Sequence, residues 1–171
     1  GGIIYLLNPI DINENVTLEN VTLRPGRSTM SHMLYIRGDV TLQNIIINNI
    51  TPDGTPCQFS ADPIEVAGTL TIKDGTEIGP FPGKSCIYAL PHSTVNLNGG
   101  EIQGDKQNIV ERGGGIYAFN AIVNVNGDII SGHSATYGGG ICAIESNVSL
   151  KGGSIAGNKS GRGLRCLLGY V

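Results

Sequence analysis

The stretch Gly113-Gly114-Gly115-Ile116-Tyr117-Ala118 returns 25 residues later as Gly138-Gly139-Gly140-Ile141-Cys142-Ala143. A looser copy stands upstream as Cys86-Ile87-Tyr88-Ala89. Each copy leads into an alternating triplet: Val95-Asn96-Leu97, Val123-Asn124-Val125 and Val148-Ser149-Leu150. From each valine to a closing glycine, at Gly104, Gly132 and Gly157, the three copies align without a gap. Further upstream the triplet reads Leu70-Thr71-Ile72, Val40-Thr41-Leu42 and Val16-Thr17-Leu18, so successive triplets lie 24, 30, 25, 28 and 25 residues apart. These are preceded by Ile64-Glu65-Val66, Leu34-Tyr35-Ile36 and Ile4-Tyr5-Leu6. A unit of this size cannot bury its apolar face alone, and a recurring period means that each copy stacks on the next.

Short runs of Val, Ile, Thr and Leu broken by Gly, Asn and Asp indicate strands and turns, and no stretch carries the apolar spacing of a helix. Like residues recur at equivalent positions, which suits parallel rungs about 4.8 Å apart. The fold expected is all-β: a right-handed parallel β-helix, or solenoid, of about six coils with three short strands per coil, forming one domain over residues 1–171. Handedness follows from the rule for parallel crossovers. A left-handed hexapeptide helix would need an apolar residue at every sixth position, and a β-sandwich does not preserve a fixed order of strand types. Insertions belong between the third strand of one coil and the first of the next, and the longest, Thr51 to Asp62, reads as a protruding loop.

Composition agrees. Glycine supplies 26 of 171 residues, yet no every-third-residue period makes the chain collagenous, and a hydrophobic content of 40 % argues against disorder. A net charge of −3 offers no footprint for nucleic acid or an anionic membrane. No apolar run reaches membrane-spanning length, and the N-terminus lacks the layout of a signal peptide. Both ends read as cut through a repeat, which suggests a piece of a longer protein.

If the first strand of each coil points its Ile and Ala inward, the residues between them form an outward column: Tyr5, Tyr35, Glu65, Tyr88, Tyr117, Cys142. The next outward column is Leu7, Arg37, Ala67, Leu90, Phe119, Ile144. Tyr5, Tyr35, Glu65, Tyr88 and Tyr117, with Arg37 and Phe119 beside them, are the candidate ligand-binding residues, because aromatic side chains with polar tips suit sugar rings and protein partners. The plainer alternative is that stacked tyrosines stabilise the sheet. The triplet strands carry a polar column, Thr17, Thr41, Thr71, Asn96, Asn124 and Ser149, as a water-facing surface requires. For catalysis the nearest carboxylates are Asp62 and Glu65 and the nearest bases Arg37 and Arg112, with Glu65 and Arg37 read as a surface ion pair between neighbouring coils. The histidines, His32, His92 and His133, fall at three different repeat positions. No catalytic residue, metal site or cofactor is assigned.

Four cysteines without Cys-x-x-Cys spacing exclude zinc and thioredoxin-like readings. Two disulfides are expected, Cys57 with Cys86 and Cys142 with Cys166, the latter pair lying 24 residues apart, almost one repeat. Buried thiols are the alternative. Asn15, Asn20, Asn49, Asn147 and Asn158 each open an Asn-x-Ser/Thr sequon, usable only in a host that glycosylates asparagine.

The Gly-Gly-Gly-Ile-Tyr-Ala and Gly-Gly-Gly-Ile-Cys-Ala segments, each followed by an Asn-containing strand and the turns Ile130-Ser131-Gly132 or Ile155-Ala156-Gly157, resemble the repeats of adhesin-like β-helix surface proteins. These are related in style to the chlamydial polymorphic outer membrane proteins and in structure to the pectin-lyase-like superfamily. The likeness covers Ser85 to Gly161, and it departs from the chlamydial Phe-x-x-Asn signature at Phe119-Asn120-Ala121-Ile122. It implies a secreted or cell-surface location and a non-enzymatic adhesive or structural role, with a glycan or protein as partner. A carbohydrate-active β-helix of lyase or glycosidase type is one alternative. A filament subunit that self-associates end to end through open β-helix ends is another.

Overall fold

The six triplets lie side by side in one parallel sheet, each residue opposite its counterpart in the next copy. In a computed structural model of the chain, Val16 pairs with Val40, Val40 with Leu70, Leu70 with Val95, Val95 with Val123 and Val123 with Val148. The structure describes residues 1–161 and the strand Cys166–Leu167. Among these residues there is no helix, and the chain winds as a right-handed parallel β-solenoid of about six turns.

A first sheet runs through Ile10–Ile12, Leu34–Ile36, Ile64–Val66, Ile87–Ala89, Ile116–Phe119 and Ile141–Ile144, which define coils one to six, and continues into Cys166–Leu167. The triplets form the second sheet. The third holds Gly2–Leu6, Val21–Pro25, Ile46–Ile47, Glu77–Ile78, Glu101–Gln103, Ile129–Ser131 and Ser154–Ala156. Because side chains alternate along a strand, each sheet sends one set of apolar residues inward. Leu34, Ile64, Ile87 and Ile116 form one inward column, Leu42, Ile72, Leu97 and Val125 a second, and Ile47, Ile78, Ile102 and Ile130 a third, all with no exposure to solvent. Full burial of such a side chain contributes roughly 1.5–3 kcal/mol. The core is thus a narrow aliphatic column.

Left-handed backbone makes the corners. Asn20 and Asn44 (φ 57° and 51°) turn the chain after the triplets of coils one and two, and His92, Asn120 and Glu145 (φ 68°, 48° and 51°) turn it before the triplets of coils four to six. Asparagine tolerates this conformation better than other non-glycine residues. Asparagines also pair between coils: Asn44 Nδ2 donates to Asn20 Oδ1, Asn124 Nδ2 to Asn96 Oδ1 and Asn126 Nδ2 to Asn98 Oδ1, at 2.7 to 2.8 Å. The triple glycines have their own reason. Gly113 and Gly138 take φ of 48° and 56°, where a Cβ would strike the chain's own carbonyl three residues on. Gly114 and Gly115 then lie directly against Gly139 and Gly140, donating N–H to their carbonyls at 2.9 Å.

Two expectations are corrected. Tyr5 is not in the first sheet: Gly2–Leu6 belongs to the third sheet, where Tyr5 faces Arg24, and the first strand of coil one is Ile10-Asp11-Ile12. The reason is chain length. Six residues separate Leu34 from Val40 and Ile64 from Leu70, and likewise Ile10 from Val16, whereas Ile4 lies twelve residues before Val16. Leu7 therefore also leaves the second outward column. In addition, most coils carry a fourth short strand between third and first sheets. Thr29–Met30 pairs with Gln58–Phe59, and Val110–Arg112, Ser134–Tyr137 and Lys159–Ser160 stack in a separate sheet. Residues 79–86, entering coil four, form no strand and interrupt this fourth side. The insertion Thr51 to Asp62 lies between third and first sheets as expected and includes the strand Gln58–Phe59.

Candidate functional site

The outward column of the first sheet reads Asp11, Tyr35, Glu65, Tyr88, Tyr117, Cys142, in register. The four central side chains are half-buried. Phe119 lies opposite Ile144 in the adjoining column. In the lower half, the Arg37 guanidinium lies over the Tyr35 ring, 4.6 Å from its centroid, and meets Asp11 at 3.9 Å. His32 tilts against the same ring at 5.9 Å. The expected Glu65–Arg37 pair is not formed, because Arg37 reaches down to the acid of coil one.

In the upper half, Tyr88 and Tyr117 are stacked with centroids 4.9 Å apart and 10° between planes. That separation is the spacing of neighbouring strands, so each ring covers one face of the other. Arg112 stands 5.7 Å from the Tyr117 ring and forms an ion pair with Glu111 at 3.1 Å. Burial, then Tyr117, then the carboxylates of Asp62 and Glu65 hold the Tyr88 phenol above its ordinary pKa.

Where the fourth side is interrupted, a cleft of about 290 Å³ opens beside this stack, with Asp62, Lys84, Ser85, Arg112 and Tyr117 in its walls. Two residues seal the strand edges on either side of the gap. Lys84 Nζ donates to the Ser60 carbonyl at 2.9 Å, below, and Ser85 Oγ to the Arg112 carbonyl at 2.9 Å, above. The Ser85 N–H donates to Asp62 Oδ1 at 3.0 Å. Burial nevertheless raises Asp62 to about 6, with Ser85 and Lys84 pulling down and Glu65 pushing up. The cleft thus sets a carboxyl group that changes charge near neutrality against a guanidinium and a phenol. Among the described residues no group of three or more His, Cys, Asp or Glu could hold a metal ion.

The remaining candidates fall elsewhere. Cys57 and Cys86 are buried free thiols, not a disulfide: Cys57 Sγ donates to the Gln58 carbonyl at 3.8 Å and Cys86 Sγ to that of Gln103 at 3.7 Å. Burial raises both thiols. Cys142 is buried at the head of the tyrosine column, and the register places Cys166 opposite Ala143, one residue away from Cys142. The Cys166 side chain lies outside the described residues. Of the sequon asparagines, Asn15, Asn20 and Asn147 are exposed. Asn49 is only 3 % exposed, and Asn158 uses both ends of its amide, accepting from the His133 N–H and donating to the Ile130 carbonyl.

Asp11, Lys84 and Ser85 are the residues that reading the sequence misses. The in-out-in pattern of Ile10-Asp11-Ile12 at the correct distance from Val16 would have revealed the first. No pattern marks Lys84 and Ser85. Fold and face together define a right-handed parallel β-solenoid with a tyrosine-lined first sheet and a polar cleft at its side. Comparison of the chain with known protein families, with curated proteins and with solved structures gives no match.

Proposed function

We propose that this chain is a non-enzymatic β-solenoid, secreted or displayed on a cell surface, with an adhesive role exercised through the upper half of its first sheet. The supporting observation is the Tyr88–Tyr117 stack at the rim of the Asp62–Arg112 cleft. Because each tyrosine covers a face of the other, recognition uses hydroxyl edges and the cleft's carboxyl and guanidinium groups, which suit the hydroxyls of a glycan or the polar side chains of a protein surface. The resemblance of the repeats to adhesin-like surface proteins supports the location. The test is binding of the intact protein to a glycan array and to immobilised surface-protein extract, alongside Tyr117→Phe and Arg112→Ala. Specific binding weakened at least about tenfold by either substitution, on the order of 1.4 kcal/mol, supports the reading. Absence of binding, or binding indifferent to both, overturns it.

A further inference from the structure

The turn from second to third sheet in coil five carries a carboxyl where neighbouring coils carry small uncharged groups. The pairing of Glu77 with Glu101, Glu101 with Ile129 and Ile129 with Ser154 aligns the residues just before them: Thr76, Gly100, Asp128 and Gly153. Thr76 is fully buried and its hydroxyl donates to the Leu42 carbonyl at 3.2 Å. Gly100 and Gly153 bring no side chain to the position, and a Cβ at either would strike the backbone of the coil below, at Thr76 and Asp128. Asp128 is fully buried. Its Oδ1 accepts the Gly99 N–H, while its Oδ2 is buried without a hydrogen-bond partner.

Among the described residues, nothing positive offsets the charge. The ionised group that acts on Asp128 is Asp74 of coil three, which repels it, and the lysines nearest in sequence to this corner on coils three and six, Lys73 and Lys151, are exposed. Coil four presents only Asn98, Gly99 and Gly100 here. A carboxylate so placed keeps its full desolvation cost, and a proton removes it.

We propose that Asp128 is a proton-operated latch: the folded solenoid closes this corner over the neutral carboxyl, and ionisation admits water and loosens coils four to six. Burial, more than Asp74, raises the group to about 7, against the downward pull of the Gly99 N–H. Its pKa is higher folded than unfolded. The stability it confers is therefore complete below about pH 4 and is lost as pH rises through about 7.

Hydrogen exchange of the intact protein, corrected for intrinsic rates, at about pD 5.5 and about pD 8.5 tests the latch. In the wild type, protection over residues 96–103 and 124–131 falls about tenfold at the higher value, and protection over 34–42 does not change. Asp128→Thr, patterned on Thr76, keeps its protection at both. Should that variant not fold, Asp128→Gly, patterned on Gly100 and Gly153, is read the same way. Asp62→Asn retains the wild-type loosening. Equal wild-type protection at both values, loosening that persists without Asp128, or loosening that disappears with Asp62→Asn would each overturn the proposal.

Discussion

The two halves of the first-sheet face use the same residue types to opposite ends. In coils one and two, a single tyrosine lies under an arginine that is itself held by Asp11, and the hollow at their side is lined by Met30 and Phe59. In coils four and five, two tyrosines cover each other, the arginine turns to its sequence neighbour Glu111, and a cleft remains open. What separates them is the fourth side. The strand pair Thr29–Met30 and Gln58–Phe59 lines a hollow of about 440 Å³ beside the lower half, whereas residues 79–86, which form no strand, lead into a cleft of about 290 Å³ beside the upper half. Insertions between coils, not the column itself, decide what lines the hollow beside each half: Met30 and Phe59 below, Asp62 and Arg112 above.

The most severe way to break the comparison is to remove the core beneath the join. Ile87→Ala deletes a fully buried side chain between Ile64 and Ile116, and chemical denaturation is expected to show a loss of about 2–5 kcal/mol. In the same assay, Tyr88→Ala and Tyr117→Ala should show a coupling of about 0.5–1.5 kcal/mol in a double-mutant cycle, from the ring-on-ring contact that the lone Tyr35 lacks with another tyrosine. Costs that simply add would show that the stack contributes nothing of its own.

Titration sharpens the contrast further. Asp62 has a folded pKa of about 6, raised above its unfolded value, so its contribution is complete below about pH 4 and is lost as pH rises through about 6. The melting temperature should fall across that window, and Asp62→Asn should reduce the fall. An unchanged fall would show that Asp62 is not the source. The smallest effect belongs to Arg37 and Asp11, an exposed pair at 3.9 Å. Asp11→Asn should cost no more than about 1 kcal/mol and should lose that effect in high salt.

Much of the fold was legible because one signal repeated six times. The Val-x-Leu triplets align in space as they align in sequence, since a slip of one residue would turn every apolar side chain outward. Coil one was misread because two alternating segments, Ile4-Tyr5-Leu6 and Ile10-Asp11-Ile12, competed, and only chain length separates them. The fourth-side strands could not be read, because elements as short as Thr29–Met30 or Lys159–Ser160 have no periodicity to detect. Of the candidate site, the tyrosine column from Tyr35 to Tyr117 was legible. The cleft was not, because it lies on that unread fourth side, where residues 79–86 form no strand, and Lys84 and Ser85 act through backbone partners that no residue pattern specifies.

The asparagine pairs between coils four and five bear on how the molecule ages. Asn98 and Asn126 each precede a glycine, the sequence in which deamidation is fastest, since the next backbone nitrogen attacks the side-chain amide and expels ammonia. Here both attacking nitrogens are occupied: the Gly99 N–H is held by Asp128 and the Gly127 N–H by the Leu97 carbonyl at 3.2 Å. The Asn126 amide is held in turn by Asn98. An isoaspartate at either position would lengthen one rung by a backbone atom and throw every coil above it out of step. The contacts that align the coils therefore also guard the rod against a chemical clock written into its own turns.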